Sequence, residues 1–301
     1  METVLITGGT GLVGTHLTKK LKQKGFRVTL LSRSRNKDGD IQIYQWDTEK
    51  GQIDEEAITT ADYIVHLAGA NLLEKRWTER RKQVIVDSRV KTANLLYKKV
   101  LELNVKPKAF VSASAIGYYG AVTSEKIFEE TELPAWGFLG ETCRLWENAA
   151  DQFAHYGIRT VKVRTAPVLA KEDGALHTLL MPVKLGIASP IGSGKQYMPW
   201  IHIDDLCGIY LKAIEDAGMT GAYNAAAPDH KTNEEFMKAL ANELHKPFWF
   251  PNIPGFLMRI LLGEMGDAAL KGSRISSEKI QKAGYTFKFL TLKGALKDLL
   301  G

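Results

Sequence analysis

The chain has little cysteine: Cys143 and Cys207 only, with no metal-ligand spacing around either. A disulfide framework and a thiolate metal centre are thereby excluded, no metal is expected, and buried packing is the expected use of both thiols. Long apolar runs are missing as well, and none approaches the ~20 residues that span a bilayer. The opening METVLITGG enters a strand pattern at once, without the basic-then-apolar order of a secretory leader. The expectation is a cytoplasmic protein with no membrane partner. Blocks of like charge are also scarce. The net charge of +6 comes from local clusters, and the densest, EKRWTERRKQ at 74–83, alternates in sign. Alternation of this kind marks a solvated helix face rather than a phosphate-tracking surface, so no nucleic-acid partner is expected. Internal repeats and low-complexity segments are absent.

What is present is a regular rhythm. TVLITGG, FRVTLLSR, IQIYQWD, ADYIVHLAG, KAFVSASA and RTVKVRTA read as short β-branched strands. Between them lie helical patterns: HLTKKLKQKG ending at Gly25, a long one over 72–103, and another over roughly 139–156. Such βαβ alternation predicts an α/β fold, a Rossmann-like doubly wound parallel sheet with helices on both faces. After residue 170 the pattern loosens into a helix and a Gly/Pro/Ser-rich excursion, then YMPWIHIDDLCGIYLKAIED and GAYNAAAP resume it. The predicted organisation is a nucleotide-binding domain over 1–170, joined again by 198–230. A smaller, mainly helical C-terminal lobe would hold 171–197 and 231–301.

VLITGGTGLVGTHL sets Gly8, Gly9, Gly11 and Gly14 between a strand and a helix, with Thr10, Leu12 and Val13 among them. Gly8 permits a tight turn, Gly11 lets backbone approach a pyrophosphate, and Gly14 lets helix and strand pack closely. The helix N-terminus then offers unpaired N–H groups and positive dipole to phosphate. A dinucleotide is the expected cofactor. The end of the second strand selects which one. Where an acidic residue would grip a ribose 2′-hydroxyl, the chain has Ser32 and Arg33, followed by Arg35 and Lys37. Arg33 suits a 2′-phosphate, so NADP is expected ahead of NAD. Asp47, just past the third strand, is either an acceptor for the adenine amino group or an Asx-turn residue. Leu67, Ala68 and Gly69 end the fourth strand with backbone suited to lie against the ribose and pyrophosphate. Arg164, at the end of a later strand, is a candidate contact for an anionic group.

Together TGGTGLVG, ADYIVHLAGA, FVSASAIGYYG, RTAPVLA and MPWIHIDDL resemble the extended short-chain dehydrogenase/reductase family, over most of the chain. GFLGETCRLWE, GSGKQYMPWIHIDDL and the C-terminal FLMRILLGEMGDAALKGSRISSEKIQKAGYTF resemble an atypical, epimerase-like subgroup of it. The resemblance implies a catalytic set of Asn, Ser, Tyr and Lys. Ser88 stands at the Asn position, among the cofactor contacts, and Ser114 at the Ser position. The Tyr and Lys positions hold Leu139 and Cys143, with Glu147 fixing the register. Leucine transfers no proton, and general acid–base catalysis is worth roughly two to four orders of magnitude. Tyr118 and Tyr119, on the loop after Ser114, are candidates for the missing phenol or else pack the mouth of the cleft. Glu141 and Arg144 share a helix face, most simply as a surface ion pair. His202 is expected to be structural, with Asp204 or Asp205 capping the next helix. Lys195 and Gln196 lie on a loop that either meets substrate or is plain surface.

Two functions follow from this set. One is an NADP-dependent oxidoreductase or epimerase-like enzyme acting on a small carbonyl or sugar-nucleotide-like substrate, with Ser114, Tyr118 and Tyr119 as its catalytic residues. The other is a non-catalytic NADP-binding sensor or scaffold. The resemblance also allows a homodimer through the long helices.

Overall fold

The computed structural model describes residues 1–34, 41–249 and 251–301. Arg35 and Lys37 lie outside the described residues. In chain order the strands are β1 (Thr3–Thr7), β2 (Arg27–Ser32), β3 (Gln42–Asp47), β4 (Gln52–Ile53), β5 (Tyr63–His66), β6 (Ala109–Ala115), β7 (Ile127–Phe128), β8 (Arg159–Thr165), β9 (Val168–Leu169), β10 (Ile201–His202), β11 (Gly221–Ala225) and β12 (Arg274–Ile275). The helices are α1 (Leu12–Gln23), α2 (Glu55–Thr59), α3 (Glu79–Glu102), α4 (Phe138–His155), α5 (Ala175–Lys184), α6 (Ile203–Glu215), α7 (Asn233–Glu243), α8 (Gly255–Leu262), α9 (Glu264–Ala269), α10 (Glu278–Lys282) and α11 (Leu292–Leu300).

One 8-stranded sheet runs in the order β11-β8-β6-β5-β1-β2-β3-β4. All its pairings are parallel except β3 with β4, where a short return strand finishes the edge. The order reverses direction between β1 and β5, which places a crevice at the carboxyl ends of those strands. This is the doubly wound Rossmann-like α/β fold that the alternation predicts.

Alternate strand residues serve opposite faces. Val4 and Ile6 of β1 pack with Leu17 and Leu21 of α1 and with Leu206 and Tyr210 of α6. Leu5, Ile64 and Phe110 meet Leu96 of α3 and Phe153 of α4 on the other face. The rings of Phe110 and Phe153 stack at 3.7 Å, and truncating either buried ring would cost about 3–5 kcal/mol. A third core joins Leu176 and Leu180 of α5, Phe236 and Leu240 of α7, Leu292 and Leu296 of α11, and Trp200.

Segment 231–301, which sequence alone assigns wholly to the small lobe, is shared between cores: Ile275, Ile280 and Phe287 pack into the core of the first sheet face. The buried carboxylate of Asp205 secures that return. It accepts from the Tyr285 hydroxyl at 2.9 Å and from the backbone N–H groups of Lys288 and Phe289 at 2.7 and 3.0 Å. The α6 cap also differs from expectation. His202 Nδ1 accepts from the Asp204 N–H at 3.1 Å, so the histidine is the cap, while Asp204 pairs with Lys288. The helical pattern read over 72–103 starts later, at Glu79, because the Thr78 hydroxyl accepts from Arg81 N–H and ends the preceding turn.

Candidate dinucleotide and reaction site

The turn between β1 and α1 depends on missing side chains. Gly8 has φ +68°, and a Cβ there would lie 2.9 Å from the backbone of Leu67 and Ala68. A Cβ on Gly14 would lie 2.5 Å from the Gly8 carbonyl oxygen. Gly11 is the N-cap of α1, where no side chain caps the helix and the first turn holds no acid. Thr10 and Gly11 are exposed, and Leu12 and Val13 are half-buried. Uncapped N–H groups at a helix N-terminus, in a turn that admits no Cβ at Gly8 or Gly14, fit a pyrophosphate.

The loop opposite, Leu67–Ala68–Gly69, is fixed by a buried polar chain. The Thr7 hydroxyl bonds His66 Nδ1 at 2.8 Å and accepts from Ala68 N–H at 3.2 Å. His66 Nε2 in turn lies 3.2 Å from the Thr92 hydroxyl of α3. Burial lowers the His66 pKa to about 4, so the ring is neutral near pH 7. No motif in the sequence gives this histidine a role, since its partner Thr7 is 59 residues away.

At the end of β2, Ser32 is half-buried and Arg33 is exposed. The Arg33 carbonyl accepts from Gln45 Nε2 at 3.2 Å, which ties this corner to β3. Asp47 is engaged locally, its Oδ1 accepting from Glu49 and Lys50 N–H groups at 3.0 Å each. Of the two readings of Asp47, this geometry is that of the Asx turn.

Ser88 lies on α3 beside the same loop. Its hydroxyl accepts from Ala70 N–H at 2.9 Å and donates to the Ile85 carbonyl at 3.0 Å. Next to it, Arg89 donates to the Ala70 carbonyl at 3.2 Å and to Ile85 at 2.9 Å, and its guanidinium lies 4.9 Å from the Trp146 ring centroid.

On the other side of the crevice, Ser114, the penultimate residue of β6, is buried and donates to Glu147 Oε1 at 2.7 Å. Glu147 is gripped bidentately by Arg164, through Nε at 2.8 Å and Nη2 at 2.9 Å. Arg164 Nη1 also donates to the Tyr119 hydroxyl at 3.0 Å, and that hydroxyl donates to Asn224 Oδ1 at 2.7 Å. Burial works against the charge of Arg164, but the hydrogen bonds and charge of Glu147 outweigh it and hold the pKa above the usual value. Arg164, which sequence reading offers to an anionic ligand, is thus a buried residue facing Glu147. The geometry separates the two tyrosines. Tyr119 is buried, with burial pushing its phenol up to about 12. Tyr118 is half-buried, and its ring lies 3.5 Å from the Arg164 guanidinium carbon.

Leu139 and Cys143 both face the loop after Ser114: a Cβ on Gly117 would lie 3.5 Å from Leu139 Cβ and 3.6 Å from Cys143 Sγ. Burial first, and then the Glu147 charge, push the Cys143 thiol up to about 12, so it is not a thiolate nucleophile. Glu141 and Arg144 form the i,i+3 surface pair, and the Arg144 hydrogen bond lowers the Glu141 pKa. His202 stacks on Phe289 at 3.7 Å between ring centroids, and burial lowers its pKa. Gln196 is buried and bonds its own loop at the Ile191 carbonyl, while Lys195 is exposed. Asn224 and Arg89 were not singled out from sequence, since neither falls in a spaced motif. Among the described residues, no group of three or more His, Cys, Asp or Glu side chains could hold a metal. Nor is any helix among them long and apolar enough to cross a membrane.

A parallel sheet with a glycine cradle and uncapped helix N-terminus at its switch point defines a protein of the nucleotide-binding Rossmann class. Within that class the chain belongs to the NAD dependent epimerase/dehydratase family, whose profile matches residues 4–226. Residues 253–299 match a domain of unknown function, DUF1731. An epimerase family protein of Staphylococcus haemolyticus is 35% identical over 304 residues, covering 100% of this chain and 99% of its own. The epimerase family protein YfhF of Bacillus subtilis is 34% identical, covering 99% and 97%. Among solved structures, the human epimerase family protein SDR39U1 (isoform 2), crystallised with NADPH, has a TM-score of 0.87 and 32% identity, covering 99% of this chain and 98% of its own.

Proposed function

We propose that this protein binds NADP in the β1–α1 crevice and uses it in an oxidoreductase or epimerase-like reaction on a small carbonyl or sugar-nucleotide-like substrate. The observation that carries the cofactor reading is the cradle: Gly8 and Gly14 admit no Cβ, and the N-terminus of α1 has no side-chain cap. Gly8 to Gly14 would hold the pyrophosphate, Leu67 to Gly69 the adjoining ribose, and Ser32 with Arg33 the 2′-phosphate. The NADPH-bound human relative supports the choice of NADP. Titration with NADPH and NADH tests it. NADPH is expected to bind at least about tenfold more tightly, a difference of 1.4 kcal/mol; equal affinities would overturn the preference.

Bound, the cofactor supplies hydride chemistry. Ser114 donates its proton to Glu147, so its oxygen is free to accept from a substrate hydroxyl. To donate to a carbonyl instead, Ser114 must turn its proton away from Glu147, which Arg164 still satisfies. Tyr119 has both its hydroxyl bonds committed to Arg164 and Asn224. Tyr118, half-buried beneath the same cation, is therefore the better placed phenol for proton transfer, with Tyr119 holding Arg164 in place. Tyr118→Phe should lower turnover by about a hundredfold or more while leaving NADPH affinity unchanged.

A second reading, a non-catalytic NADP-binding sensor or scaffold, is favoured by one observation: Leu139 and the protonated Cys143 fill the positions where proton transfer would occur. Deuterium transfer from 4-deuterated NADPH to any carbonyl or sugar-nucleotide substrate decides against it. Cytoplasmic location and a homodimer complete the proposal.

A further inference from the structure

Other arginines without a carboxylate partner among the described residues have a clear task. Arg159 donates to the carbonyls of Ala213 and Ile214 at the end of α6, and Arg76 to those of Ile260 and Leu261 at the end of α8. A helix C-terminus carries partial negative charge, so a cation there is compensated. Arg89 has no such compensation. Its acceptors are the Ile85 carbonyl one turn back within α3, the loop carbonyl of Ala70, and at 3.4 Å the Ser88 hydroxyl. No carboxylate lies within ion-pair distance among the described residues. Burial lowers its pKa, the direction expected of a cation short of counter-charge. Beside it, the buried Trp146 Nε1 also finds no acceptor among the described residues.

Its position names the ligand. Leu67 and Ala68 abut Gly8 of the cradle, and one residue further on the same loop a Cβ on Gly69 would lie 3.1 Å from Arg89 Cζ. The loop therefore crosses close over the guanidinium. Arg33 follows directly on β2, on one side of β1; Arg89 of α3 lies on the other, with β5, β6 and α4. In a crevice at this switch point the adenine half belongs over β2 and the nicotinamide half over β5 and β6.

Building on the NADP reading, we infer that Arg89 is a cofactor-binding residue for the nicotinamide half, donating to the ribose and phosphate oxygens there. A purely structural role, pinning Ala70, would need a donor but no charge.

The test compares NADPH with adenosine 2′,5′-bisphosphate, which lacks the nicotinamide half, by calorimetry on the wild type, Arg89→Met and Arg89→Lys. Arg89→Met should weaken NADPH about tenfold or more and leave the bisphosphate within about twofold. Arg89→Lys should recover part of the loss. Equal weakening of both ligands, or no weakening of either, overturns the inference. Should Arg89→Met fail to fold, Arg89→Gln keeps a donor for Ala70 while removing the charge, and the same selective loss is expected of it. If wild-type protein binds neither ligand, the NADP reading itself has failed.

Discussion

At the β1–α1 end of the crevice the groups offered to a ligand are backbone N–H groups and an exposed arginine, Arg33. At the β6–α4 end the polar side chains instead answer one another: Ser114 to Glu147, Glu147 to Arg164, Arg164 to Tyr119, Tyr119 to Asn224. The first end is built to bind. The second has the burial and satisfied hydrogen bonding of a structural core, with Tyr118 and Ser114 at its margin. Binding drawn from main-chain groups survives changes in side chains. Acid–base chemistry depends on side chains, and here the family's Tyr and Lys positions hold Leu139 and Cys143.

Breaking the second end should have the largest effect. Glu147→Ala leaves Arg164 buried without its carboxylate and should cost about 3–5 kcal/mol in urea unfolding. A loss below about 1 kcal/mol would mean that the ion pair does not organise this end.

The first end should show itself in pH dependence. Folded His66 has a pKa of about 4, against about 6.5 when unfolded. The unfolded chain binds the extra proton between those values, so stability rises with pH across the window. The contribution is complete above pH 6.5 and lost as pH falls towards 4, about 3 kcal/mol in all. Unfolding curves at pH 7 and 5 should differ in wild type and converge in His66→Gln.

A smaller effect is expected at Arg33, where Arg33→Ala should weaken NADPH about tenfold and leave NADH unchanged. Equal losses for both cofactors would move the 2′-phosphate contact elsewhere. Smallest of all is Glu141→Gln on the exposed face of α4, which should leave the unfolding midpoint unmoved. A large fall in turnover with that midpoint unchanged would transfer the acid–base role from Tyr118 to Glu141.

The glycine loop and the strand alternation were legible because their patterns are local. Gly8 and Gly14 answer to atoms of their own turn and of one neighbouring loop. Arg164 was visible as a cation at the end of a strand, but its partner Glu147 is 17 residues away on another element. Tyr119 and Asn224 are separated by 105 residues, and Asp205 and Tyr285 by 80. The cap of α6 misled for a related reason. Asp204 and Asp205 are ordinary cap residues, but the first is taken by Lys288 and the second is buried against 285–289, so His202 caps instead.

Sequence by itself determined the doubly wound sheet and the cradle at its switch point, because strand periodicity and the glycine spacing of the turn, with Gly8 at φ +68° and Gly14 packed on Gly8 and Gly9, are written in neighbouring residues. Only the tertiary structure decided what the side chains near Ser114 do. Glu147, Arg164, Tyr119 and Asn224 come from α4, β8, the loop after β6, and β11, and folding alone brings them within hydrogen-bond reach. A buried charge must find its partner wherever the fold places it. That requirement turned Arg164 inward to Glu147.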